Sequence, residues 1–151
     1  MKALRTFVLT LGLLIALAAP AAAGTTKQEE ASERLIEKIN QVRAKHGLAG
    51  LREAPKLART ALAYARRLIR VDGFGHGSTY SGAGFRRSGE ILALQRGWSL
   101  KPNGPLHQWL GSSVHRGLML DPGFRYLGAA PARGNFGGAT TTIWVVHFGA
   151  H

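Results

Sequence analysis

The stretch Trp109-Leu110-Gly111-Ser112-Ser113-Val114-His115-Arg116 sets an indole and an imidazole six residues apart on a run with no proline to break a helix. An indole buries a large apolar area and fixes whatever carries it against the core. His115 is then held rather than mobile. If the segment is helical throughout, six residues turn through about 600°, so Trp109 points inward and His115, roughly 120° away, points toward a groove. Ser112, halfway between, lies toward the helix flank. Pro102-Asn-Gly-Pro105 reads as a turn ahead of a helix from Leu106, and Asp121-Pro-Gly-Phe124 closes it.

Beyond that closure, Arg125 to Ala130 and Thr140 to Phe148 read as two strands, with Gly134 to Gly138 as the hairpin between them. In the second strand Ile143, Val145 and His147 face one way and Trp144, Val146 and Phe148 the other. Both faces are apolar enough to be covered, which predicts a sheet sandwiched between helical layers.

Working back toward the start, Thr26-Lys-Gln-Glu29 is a capping box that opens a helix running to about His46. Leu35, Ile39 and Val42 form its buried stripe, widened by Ile36, and Gly47 suits its C-terminal cap. Pro55 sits where a helix favours its first residue. That second helix extends to about Val71, with Leu57, Ala61, Leu62, Ala65, Leu68 and Ile69 on its apolar face.

Between Asp72 and Gly89 the chain turns glycine-rich, and a loop of that length in a compact domain is usually functional or disordered. His76 lies between Gly75 and Gly77, where the backbone can approach a ligand closely. Glu90-Ile-Leu-Ala-Leu leaves this loop as a short extended segment. After Glu53 the only acids are Asp72, Glu90 and Asp121, against twelve basic residues. Asp72 beside Gly73 and Asp121 before Pro122 have turn roles. Glu90 opens an apolar run, and a carboxylate buried there needs a histidine, an arginine or a metal as partner.

Residues 1–23 read as a signal peptide: Lys2 and Arg5 are a basic start, Phe7 to Ala18 is an apolar run too short to span a bilayer, and Ala21-Ala22-Ala23 offers a cleavage site. Residues 24–31 are an N-terminal lead-in, and 32–149 form one domain with one core. No cysteine occurs, so packing and not disulfides holds the exported chain. Removing Lys2 and Arg5 from the 20 basic residues leaves 18 against 8 acidic ones, a net charge of +10. That balance favours a polyanionic neighbourhood such as anionic lipid or envelope phosphates. Nucleic acid is the least favoured partner, because the chain is exported and its basic residues lack the aromatic interleaving of a single-strand binder. No further apolar run is available to cross a membrane once the leader is removed.

The ordered set closely resembles the CAP superfamily, also called SCP/TAPS, in its short bacterial form: Gly-His76-Gly, Gly89-Glu90, Trp109-x-x-Ser112-x-x-His115-Arg116, Asp121-Pro-x-Phe124 with Gly128, and Trp144-Val-Val-His-Phe-Gly149. The resemblance covers about residues 32 to 149. It implies an α+β fold, an α-β-α sandwich whose small antiparallel sheet is covered by helices on both faces. It also implies a cleft lined by two histidines and acidic residues, sometimes holding a divalent metal. His76 matches the family's first histidine, Glu90 the acid of its Gly-Glu-Asn motif, and His115 its second histidine. Ile91 replaces the asparagine, and Ser112 stands where many eukaryotic members carry a second glutamate.

The cleft expected from this match comprises His76, Glu90, Ser112 and His115, with His76 and His115 as ligands for Zn²⁺. Two imidazoles and a carboxylate also suit a catalytic zinc site with water in the fourth position. With the second glutamate absent, no general base stands beside such a metal. The leading expectation is therefore an exported protein that binds a lipid or cell-envelope component. The alternative is a metal-dependent envelope hydrolase acting on peptide or peptidoglycan.

Overall fold

The computed structural model describes residues 26–77 and 84–151. The expected leader, residues 1–23, and part of the glycine-rich loop lie outside the described residues. Helix α1, Lys27–Lys45, starts at the capping box: Thr26 Oγ1 accepts from the Glu29 amide, and the Glu29 carboxylate accepts from the Thr26 amide. Its buried residues are Ala31, Leu35, Ile39 and Arg43, a strict i, i+4 row. Arg43 therefore takes the place expected for Val42. Its guanidinium donates to the carbonyls of Ala49, Met119 and Asp121 at 2.9, 2.7 and 3.1 Å, and so ties the end of α1 to the chain closing the opposite helices. Burial pushes the Arg43 pKa down, and the nearby Arg125 adds to that.

Strand β1, Arg52–Glu53, leads into α2, Pro55–Arg70, with Pro55 in the first turn as expected. Strand β2, Arg87–Arg96, is longer at both ends than the segment read from Glu90. Helix α3, Asn103–Gly111, begins inside the expected turn. Helix α4, Ser113–Met119, precedes β3, Tyr126–Phe136, and β4, Ala139–Ala150. The β3–β4 connection narrows to Gly137 and Gly138, with φ of +58° and +73°, a tight turn that glycine enters without strain. Pairing thus continues well past the expected end of β3.

The sheet order is β1-β3-β4-β2. The three long strands are antiparallel, and the two-residue β1 joins parallel to β3, so the sheet is mixed at one edge. Strand β4 is paired on both sides, and every residue from Thr141 to Ala150 is buried. Trp144, Val146 and Phe148 pack with Ile91, Ala93 and Leu127 beneath α1, α3 and α4. Ile143 and Val145 pack with Leu92, Ala130 and Ala132 beneath α2. The expected α-β-α sandwich is what forms, with the alternation in β4 as read.

Candidate functional site

The helix read through Trp109 and His115 is two helices. At Ser112 the backbone turns extended, φ −104° and ψ 122°, ending α3 and serving as N-cap of α4. The reason is local: Ser112 Oγ accepts the His115 amide, a cap that competes with continued helix. A rotation counted along one helix axis therefore does not relate Trp109 to His115. Trp109 is nevertheless the anchor, fully buried with its indole N–H donating to the Leu92 carbonyl at 2.8 Å. Ser112 holds the start of α4 through the backbone of His115, its oxygen accepting that amide.

Glu90, on β2, lies directly across from His147 on β4. Its side chain is 7% exposed and it accepts three hydrogen bonds. Oε2 takes one from His147 Nε2 at 3.0 Å, while Oε1 takes one from His76 Nδ1 at 2.9 Å and one from the Gly77 amide at 3.1 Å. Burial opposes ionisation of this carboxyl, but the bonds from His147, His76 and Gly77 outweigh it and hold its pKa below the usual value. The other nitrogen of His147, Nδ1, lies 2.8 Å from Thr60 Oγ1. A string of Thr60, His147, Glu90 and His76 thus runs from the buried face of the sheet to the surface.

The His76 and His115 rings lie 6.3 Å apart, centroid to centroid. Chain segments remote in sequence, the loop before β2 and the start of α4, therefore meet. Burial lowers the pKa of His115, and the neighbouring His76 lowers it further. Tyr64 sets the loop beneath His76. Its hydroxyl donates to the Gly75 carbonyl at 2.6 Å, and a Cβ on Gly77 would come within 2.7 Å of its ring. Gly77 is required by that close approach, whereas Gly75 has open space.

Fit to a metal can be judged from the donors. Both Glu90 oxygens are occupied, so Glu90 orients a histidine instead of serving as the third ligand of a zinc site. Because His76 donates through Nδ1, its Nε2 keeps a lone pair, the arrangement in which a carboxylate supports a metal-binding imidazole. Two imidazoles on one tetrahedral zinc have centroids about 5 Å apart, against 6.3 Å between these rings. No group of three or more acidic, histidine or cysteine side chains is placed to hold a metal among the described residues. The protein would supply two nitrogens, and water or a ligand the rest.

Sequence reading missed Thr60, Tyr64 and His147. A signal for His147 was present: alternation already set it on a covered face, where both ring nitrogens need partners. Glu90 posed the same demand on the strand that lies beside it. Only the β2–β4 register, which sequence does not supply, joins the two.

A family model described as the cysteine-rich secretory protein family, CAP, matches residues 36–148. Among solved structures, an outer surface protein of Borrelia burgdorferi superposes with a TM-score of 0.66 at 24% identity, covering 82% of this chain and 94% of that one. An extracellular protein containing an SCP domain from Bacillus anthracis gives 0.66 at 20% identity, covering 86% and 45%. A cysteine-rich secretory protein from Staphylococcus aureus gives 0.65 at 14% identity, covering 83% and 40%. The chain spans less than half the length of these last two. No curated protein matches it significantly.

Proposed function

The chain belongs to the cysteine-rich secretory protein family, CAP, and from that premise we propose an exported protein, periplasmic or extracellular, that binds a lipid or cell-envelope component at the His76, Glu90 and His115 cleft. His76 Nε2 and His115 hold a divalent metal there, Zn²⁺ by the chemistry of two imidazoles. The relatives described as outer surface and extracellular proteins support export. No helix among the described residues is long and apolar enough to cross a membrane.

The observation that carries the reading is the Glu90 carboxylate locked by His147 and Gly77 while accepting from His76 Nδ1. That bond fixes the ring and leaves its far nitrogen for a ligand. A bound Zn²⁺ supplies Lewis-acid positions for a phosphate or carboxylate oxygen of the ligand. The same geometry favours binding over the alternative, a metal-dependent envelope hydrolase. A hydrolase needs a base beside the metal, and Glu90 is buried and already engaged by His147, His76 and Gly77.

Calorimetry with ZnCl₂ tests the reading. One site is expected in the wild type, lost in His76→Ala and in His115→Ala, with affinity falling in acid as protons compete with the metal for its ligands. Equal affinity in the wild type and both variants overturns the metal part. Turnover of peptidoglycan that EDTA abolishes overturns the preference for binding.

A further inference from the structure

Two cavities lie away from the histidines, and the charges around them are segregated. One, about 290 Å³, is rimmed by Glu29, Glu33 and Glu53 with Arg66 as its only cation. The other, about 480 Å³, is lined by Arg34 and Lys38 of α1, by Lys101, and by Ser99, Leu100, Pro102 and Asn103 between β2 and α3. No carboxylate lines it. We propose that this second cavity is a binding site for the phosphate group of a phosphate ester, separate from the histidine cleft and independent of its metal.

Arg34 and Lys38 are four residues apart on α1, so their charges share one face and repel, a cost normally relieved by an acid at that spacing. Arg34 has such relief in part, from Glu30 at 3.5 Å on the other side. The Lys38 and Lys101 ammonium groups make no hydrogen bond or ion pair among the described residues, although Lys38 is only partly exposed. The remaining polar groups on the wall add donors: the Ser99 oxygen accepts from the Lys101 amide and leaves its own hydrogen available, and Asn103 offers a side-chain amide. A wall with three cations, spare hydroxyl and amide donors and no carboxylate selects an acceptor-only anion, and phosphate accepts from a guanidinium through two oxygens at once.

The volume falls in the range of small-molecule pockets, about 300–1,000 Å³, and is larger than a bare ion fills. Leu100 and Pro102 give the ester's organic body an apolar seat. Glu90 lies near one end of β2 and the connection into this cavity begins at the other, roughly 23 Å along the strand. Occupation of the cavity therefore leaves the histidine cleft free. Glycerol phosphate presented in solution and the same group on a membrane surface offer one chemistry from two sources.

The test is an NMR titration of the full mature chain with sn-glycerol 3-phosphate, with glycerol as the uncharged control. Vesicles of phosphatidylcholine, with and without phosphatidylglycerol, form a parallel arm. Saturable shifts are expected at Arg34, Lys38, Lys101 and Asn103 with the phosphate and none with glycerol. Lys38→Gln/Lys101→Gln should weaken binding at least about tenfold, two charge-assisted hydrogen bonds being lost, with melting temperature unchanged. His76→Ala should leave the affinity as it was. Binding to phosphatidylglycerol vesicles alone, abolished by the lysine pair, identifies the membrane as the source, and binding to glycerol phosphate identifies a soluble ester. No saturable response in either arm, or affinity that survives the double substitution, overturns the proposal.

Discussion

Glu90→Gln distinguishes a carboxylate that holds its neighbours from one that merely fills space. Gly77 can only donate to position 90, so the glutamine must keep its carbonyl oxygen there and turn its amide toward His147. His147 can accept that amide through Nε2 if it carries its proton on Nδ1 and donates to Thr60, whose own hydroxyl lies 3.0 Å from the Leu57 carbonyl. The fold survives, and charge-assisted bonds become neutral ones at a cost of about 1–3 kcal/mol. Because the native pKa of Glu90 is lowered, its contribution is present above the unfolded value near 4.5 and is lost as pH falls through the native one. Urea unfolding over a pH series should show the gap between wild type and variant at neutral pH and its closure in acid. A constant gap would mean that Glu90 acts by shape alone. The need for partners at Glu90 was readable in a single residue type at the head of an apolar run. Which partners meet it was not, since His76 arrives from a loop and His147 from another strand.

Contacts between whole elements depend on two glycines with opposite roles. On β3, a Cβ at Gly128 would lie 2.0 Å from the Ala58 nitrogen and 2.2 Å from the Leu57 carbonyl carbon, so the first turn of α2 rests on bare backbone. Backbone cannot swing aside as a side chain does, and α2 also carries Thr60 and Tyr64 to the site. Gly128→Ala should cost about 3 kcal/mol or more, at the upper end for overpacking, and disturb the His147 ring. Gly117, inside α4, has nothing within 4 Å of its Cβ position. Gly117→Ala should stabilise by about 0.5–1 kcal/mol, the helical cost of glycine. Thermal unfolding of both variants checks the pair, and equal effects would contradict the packing described. Periodicity revealed α1, α2 and β4 well because each buries a continuous stripe. It failed at α3 and α4 because the boundary is one serine cap inside a run with no proline, and at β1 because two residues carry no period.

For the molecule as a whole, the question is whether metal holds the fold or only visits it. Two apolar layers, one on each face of a central strand buried from Thr141 onward, supply the core without cysteine. The polar string at the site closes on itself: every buried side-chain nitrogen and oxygen among the described residues has a hydrogen-bond partner with no metal counted. Glu90, which a structural zinc would claim, is satisfied by His147, His76 and Gly77. A domain built this way should keep its melting temperature and circular dichroism in excess EDTA, unlike small zinc domains that unfold without metal. Added Zn²⁺ that binds only the native state should then stabilise by linkage, about 2.7 kcal/mol at a free concentration one hundred times Kd. The gain should vanish in His76→Ala and His115→Ala. Unfolding by EDTA would show instead that metal belongs to the core, and a zinc-induced rise that persists in both variants would place the metal elsewhere on the surface.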